Sequence, residues 1–311
     1  MTRGLLIALI GGLASATFFL AIRTGAPGAI ALTYLASVPI LAVGLSQGLV
    51  NAAIATIIAG ISIMLGIHAT AAGIYIAIAA LPALIVIRQS LFSRPGPQPE
   101  DLEWYPIGMV LGWLTAYGLV ALAIISIYFL GDEGGITGKS QRLLAAVFSK
   151  VTAANPQITI PIEGIARYLP GMFLSVWLLI SIVNATLAQN VLARIGHAIR
   201  PLPSYSSLNL PIWMGLALAI VILMSFFSGV IGDFGRNASP LLSTPFFLLG
   251  LAVIHTLSRR VSARGPVLFG VYFLLVIVGW LSALVVLLGV LEQWISLRER
   301  FAAPDEDQEN E

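Results

Sequence analysis

Cysteine is absent from this chain of 311 residues. That excludes disulfides, thiolate metal sites, iron–sulfur clusters and cysteine catalysis. Charge is scarce: 10% of residues are charged, against 58% hydrophobic, and the net charge is only +2. Not one charged side chain falls between Arg23 and Arg88. A soluble protein cannot hide such a stretch, whereas hydrocarbon tolerates it if the backbone is helical and bonds to itself. The few Lys and Arg residues are scattered, leaving no basic face to follow a phosphate backbone, so no nucleic-acid partner is expected. Acidic residues are missing from the predicted helix interiors except Glu292 and the edge residue Asp233. This argues against a proton relay and against a two-carboxylate intramembrane protease. No GxSxG, Walker lysine loop or dinucleotide fingerprint occurs. His68, His197 and His255 lack metal-ligand spacing. Neither an enzyme nor a cofactor is expected.

What is present is long runs of apolar residues, with a mean hydropathy of +0.96. The chain therefore reads as an all-α, polytopic transmembrane bundle of about 8–10 helices. Spans are predicted near 4–22, 28–45, 48–67, 70–87, 105–130, 168–193, 211–231 and 239–258, followed by a long stretch over 266–297. As one helix that stretch would be about 48 Å long, beyond a core of about 30 Å. Gly279 and Ser282 mark a bend, and the expectation is a hairpin that returns Arg298 to the side of Arg260. The run Arg3 to Ile22 continues past the Ala14-Ser15-Ala16 pattern of a cleavable signal and is read as a first membrane helix.

The predicted organisation is a four-helix half (1–87), a proline-rich cytoplasmic linker (88–104), a second half (105–298) and an acidic, disordered tail (299–311). Within the second half, 131–167 is a polar periplasmic segment. Its Leu143, Leu144, Val147, Phe148 and Val151 share one helical face, which suits either a helix lying in the membrane interface or a loop helix packed on its own protein. Raw counting of Lys and Arg on the two sides ties. The compact clusters Arg88/Arg94, Arg194/Arg200 and Arg259/Arg260/Arg264 nevertheless all fall on one side, close to helix ends. The expectation is a cytoplasmic N-terminus in a bacterial inner membrane.

Two patterns are candidates for function. Gly4, Ala8, Gly12 and Ala16 form a stripe of small side chains, fit either to dock a partner or to pack a helix of this chain. Asn184, Gln189 and Asn51 are amides in or beside predicted spans, able to bind a ligand or to bond a neighbouring helix. Glu292 is an intramembrane acid and so a candidate binding group by default, with a salt bridge to Arg298 or Arg260 as the alternative.

Several local sequences are similar to those of the YybS-like family of bacterial membrane proteins. They are Ser37-Val38-Pro39-Ile40, Gly48, Leu81-Pro82-Ala83, Arg194-Ile195-Gly196, Pro201-Leu202-Pro203, Leu210-Pro211, Gly250-Leu251-Ala252-Val253-Ile254, and Leu288-Gly289-Val290-Leu291-Glu292 running into Leu297-Arg298. That family resembles the substrate-binding S components of energy-coupling-factor transporters. The resemblance implies a small-molecule-binding transport component that works with a membrane coupling subunit and a separate ATPase, docked through the small-residue stripe of the first helix. The alternative is a membrane scaffold or regulator that recruits partners through helix faces and basic cytoplasmic ends. The ligand is not named by any residue.

Overall fold

The computed structural model describes residues 3–96, 102–155, 157, 160–204, 208–261 and 263–300; the proposed tail beyond residue 300 lies outside them. Among the described residues the chain is a helical membrane bundle. Seven helical spans are long and apolar enough to cross a membrane: Arg3–Thr24, Ala29–Gln47, Leu49–Gly66, Ala69–Ser90, Ile107–Tyr128, Leu169–Arg194 and Gly229–Ser258. Three shorter apolar helices, Ile212–Ser225, Arg264–Ile277 and Leu281–Ile295, accompany them. The elements are α1 (Arg3–Leu20), α2 (Ala29–Tyr34), α3 (Val38–Gln47), α4 (Leu49–Gly66), α5 (Ala69–Tyr75), a π-turn (Ile76–Ala80) and α6 (Leu81–Ser90). After the ribbon β1 (Ser93–Pro95) and β2 (Leu102–Trp104) come α7 (Ile107–Tyr128), α8 (Gly135–Ala154), α9 (Ile162–Ala166) and α10 (Leu169–Arg194). The chain closes with α11 (Ile212–Ser225), α12 (Gly229–Ser258), α13 (Arg264–Ile277), α14 (Leu281–Ile295) and α15 (Leu297–Arg300).

The chain divides into two compact units, residues 1–117 with 176–203 and residues 118–175 with 204–311. These units do not follow the expected sequential halves, because the later part of α10 and the loop after it belong with the first four spans. The described ends of the linker pair as an antiparallel ribbon with Arg94 opposite Glu103.

Unit 1 is built by close approach of helices with small residues at their contacts. A Cβ on Gly12 would sit 2.5 Å from the Ala55 carbonyl, one on Gly11 would collide with Val43, and one on Gly44 with Ile87. Ala8, Ala16, Ala52, Ala55 and Ala59 are fully buried or nearly so. The stripe Gly4/Ala8/Gly12/Ala16 therefore faces α4 of the same chain. Of the two readings of the stripe, these contacts fit packing within the chain, with Asn51, Ala55 and Ile58 against Gly4 and Gly12.

In unit 2, α11 and α14 pack on α12. A Cβ on Gly250 would collide with the Val285 carbonyl, and one on Gly289 with the Phe246 carbonyl. That register makes α14 antiparallel to α12. The bend predicted within 266–297 is present, at Val278–Trp280 between α13 and α14. α14 runs antiparallel to the part of α12 it packs on, and Arg298, beyond the end of α14, is held at Leu208 in the segment leading into α11. The start of α12 is corrected, since it begins at Gly229 rather than near 239. The charges that made 232–238 look like a loop are neutralised inside the helix. Arg236 pairs with Asp233 at 2.6 Å and donates to the Ser225 and Phe227 carbonyls at 3.0 and 3.2 Å.

The amphipathic helix expected within 131–167 is α8. Leu144 is buried, while Leu143 and Val147 are exposed.

Candidate functional site

Two of the spans in unit 1 are interrupted near their middles, and proline causes both interruptions. Pro39 has no N–H for the Leu35 carbonyl, so the helix cannot run through. The Val38 N–H turns to Leu35 instead, at 2.9 Å. That leaves the Tyr34 and Ala36 carbonyls without their usual partners in a region where lipid offers none. Side chains supply the missing donors. Asn184 Nδ2 donates to Tyr34 O at 2.7 Å and to Ser37 Oγ at 2.8 Å. Ser15 Oγ donates to Ala36 O at 2.5 Å and shares a 2.6 Å hydrogen bond with the Tyr75 hydroxyl.

Pro82 does the same to the fourth span. It cannot donate to the Ile78 carbonyl one α-turn back, nor to Ala77 one π-turn back, and the chain widens into the π-turn Ile76–Ala80. Here the freed carbonyls are met by aromatic side chains. Trp177 Nε1 donates to Ile78 O at 2.8 Å, and the Tyr117 hydroxyl donates to Ala77 O at 2.7 Å. The two rings pack with centroids 5.8 Å apart.

Between the interruptions lies a small niche lined by Ser37, Leu41, Ala79, Pro82, Ala83, Val86 and Ser181. It has room for about one water molecule. Ser37, Ala79 and Ser181 stand at or next to the middle of their spans.

Each of the four candidate binding residues has its own partners. Asn184 caps the first interruption. Gln189 Nε2 donates to the Arg200 carbonyl at 2.6 Å and fixes the loop after α10. Asn51 donates back to Gln47 O at 2.9 Å and rests against Gly4. Glu292, in unit 2, is engaged by Arg298 at 2.7 Å. That pair is buried, with the Glu292 side chain 4% exposed and that of Arg298 10%. The chain can fold back over six residues because Ser296 takes the left-handed conformation (φ 52°). Arg298 also donates to Leu208 O at 2.7 Å and Asn209 Oδ1 at 3.0 Å, while Gln293 donates to Pro211 O at 3.0 Å. Among the described residues no group of three or more His, Cys, Asp or Glu is placed to hold a metal.

The residues of the niche and its supports (Ser15, Ser37, Tyr75, Tyr117, Trp177 and Ser181) are not among those singled out by sequence. The signal that could have found them is the pair of mid-span prolines, Pro39 and Pro82, each of which leaves backbone carbonyls in need of outside donors.

The family described as Predicted membrane protein (DUF2232) matches residues 13–292. The chain belongs to the DUF2232 family. The match covers all seven long spans apart from the first turns of α1, and with them both interruptions and Glu292. No curated protein and no solved structure matches the chain.

Proposed function

We propose that this DUF2232 protein is a small-solute-binding component of a membrane transport system, with unit 1 as the part that handles the solute. The observation that carries this reading is the pair of helix interruptions at mid-span with a partly polar niche between them. Irregular backbone at membrane depth is tolerated only where protein buries it or a cavity solvates it. Transporters place substrate sites at such discontinuities because both ends of a broken helix offer free polar groups. No ATP-binding motif occurs in the sequence, so energy for net movement would come from a separate ATPase acting through a coupling subunit. The small-residue stripe is filled by α4, so that subunit would dock on another face. We place the protein in a bacterial cytoplasmic membrane with its N-terminus inside, on the distribution of arginines near span ends.

One observation favours the scaffold reading instead. The niche is the size of a single water, and Asn184 and Gln189 are both engaged with backbone carbonyls. Purification of the full chain in mild detergent, followed by mass spectrometry of bound proteins and small molecules, separates the two. Transport predicts a retained small solute or a co-purifying ATPase. A set of bound proteins with no ATPase and no small molecule would establish the scaffold.

A further inference from the structure

The niche has a chemistry of its own, and the following rests on the transport reading of unit 1. Ser37 is 8% exposed. Its Oγ accepts from Asn184, and among the described residues no acceptor takes its hydroxyl proton. Ser181, which also lines the niche, donates from its Oγ to Trp177 O at 2.9 Å, which leaves its oxygen able to accept. A buried donor, Ser37, and a half-buried acceptor, Ser181, thus line a space whose remaining walls are Leu41, Ala79, Pro82, Ala83 and Val86. No ionised side chain lines it. A charged solute entering here would lose its hydration with nothing to replace it, which is costly at membrane depth.

We propose that the niche between Ser37 and Ser181 is a binding site for a hydroxyl group of an uncharged solute, Ser37 donating and Ser181 accepting. One small polar group fits the niche in this state. The two interruptions, at residues 35–37 and 76–80, are the joints that would admit the rest of the molecule.

Because the chain lacks cysteine, single thiols report on the niche cleanly. Ser37→Cys and Ser181→Cys would be made in the full chain and reconstituted in lipid vesicles. Each would be treated with three methanethiosulfonates of similar length: the neutral 2-hydroxyethyl, the anionic 2-sulfonatoethyl and the cationic 2-trimethylammonioethyl reagents. Thiolate is the reacting form, so labelling also reports that water reaches the niche. Rates are normalised to exposed Ser93→Cys, and two positions guard against one variant failing to fold. The expected result is labelling by the neutral reagent within about tenfold of the control, with both charged reagents slower by at least about a hundredfold. Charged reagents that react as fast as the neutral one would overturn the uncharged-solute inference and leave the transport reading standing. Thiols that react with none of the three until the protein is denatured would show a sealed core, overturning the site and counting against the transport reading as well.

Discussion

The two units stabilise irregular backbone by different means. In unit 1 the carbonyls freed by Pro39 and Pro82 are met by neutral donors: Asn184, Ser15, Trp177 and Tyr117. In unit 2 the segment leading into α11 is held by Gln293 and by the buried Glu292–Arg298 ion pair. The distinction is energetic. A neutral hydrogen bond within a membrane protein contributes about 0.6 kcal/mol on average. Separating a buried ion pair leaves an uncompensated charge and costs about 3–5 kcal/mol. Unit 1 is therefore expected to open at its interruptions more readily than unit 2 opens along its ion-paired seam.

The largest effect is expected from breaking that contrast in unit 2. Glu292→Ala should destabilise the protein by about 3–5 kcal/mol, read as a marked fall in the melting temperature in detergent. Glu292→Gln, which keeps an acceptor for Arg298, should lose less. A loss under about 1 kcal/mol for Glu292→Ala would mean the pair does not hold the unit.

Gly12→Leu comes next. Its side chain would meet the Ala55 carbonyl and Ile58, and overpacking of this kind costs about 1–3 kcal/mol. The loss should appear in the stability of the isolated chain, while Leu13→Ala, at an exposed position, should change it by under about 0.5 kcal/mol. Unchanged stability with loss of a co-purifying protein would favour the docking reading of the stripe.

In unit 1, Trp177→Phe keeps the ring and removes the donor to Ile78 O. The expected loss is about 0.5–1.5 kcal/mol. Pro82→Ala returns a backbone N–H to that stretch, so in the double variant the loss should shrink to within about 0.3 kcal/mol of zero. A double-mutant cycle that shows simple additivity would separate Trp177 from the proline break. The smallest effect is on the surface. Arg94→Ala removes an ion pair whose side chains are 81% and 44% exposed, and should change stability by under about 0.5 kcal/mol.

Most of the spans were legible because hydrocarbon imposes a simple rule: about twenty apolar residues and satisfied backbone. Six of the predicted spans begin and end within a few residues of the helices found. The rule failed where charge is neutralised inside a helix, as at Asp233 and Arg236, which made the first turns of α12 look like a loop. It also failed at the interruptions. Tyr34-Leu35-Ala36-Ser37 is as apolar as any helix turn, and its break depends on a proline two residues later and on donors contributed by α1 and α10. Of the candidate residues, Asn184 was found because an amide is conspicuous in lipid. Ser15, Ser37 and Ser181 were not, because small hydroxyls can bond their own helix and carry no signal on their own.

The backbone of unit 1 should open at residues 35–38 and 76–83 while the α12–α14 seam of unit 2 stays closed. Hydrogen–deuterium exchange of the full chain in lipid nanodiscs tests it directly, because exchange needs both opening and water. Peptides covering those two stretches should exchange measurably faster than peptides covering 246–253 and 285–292. Equal protection of all four, or faster exchange along the α12–α14 seam, would contradict it.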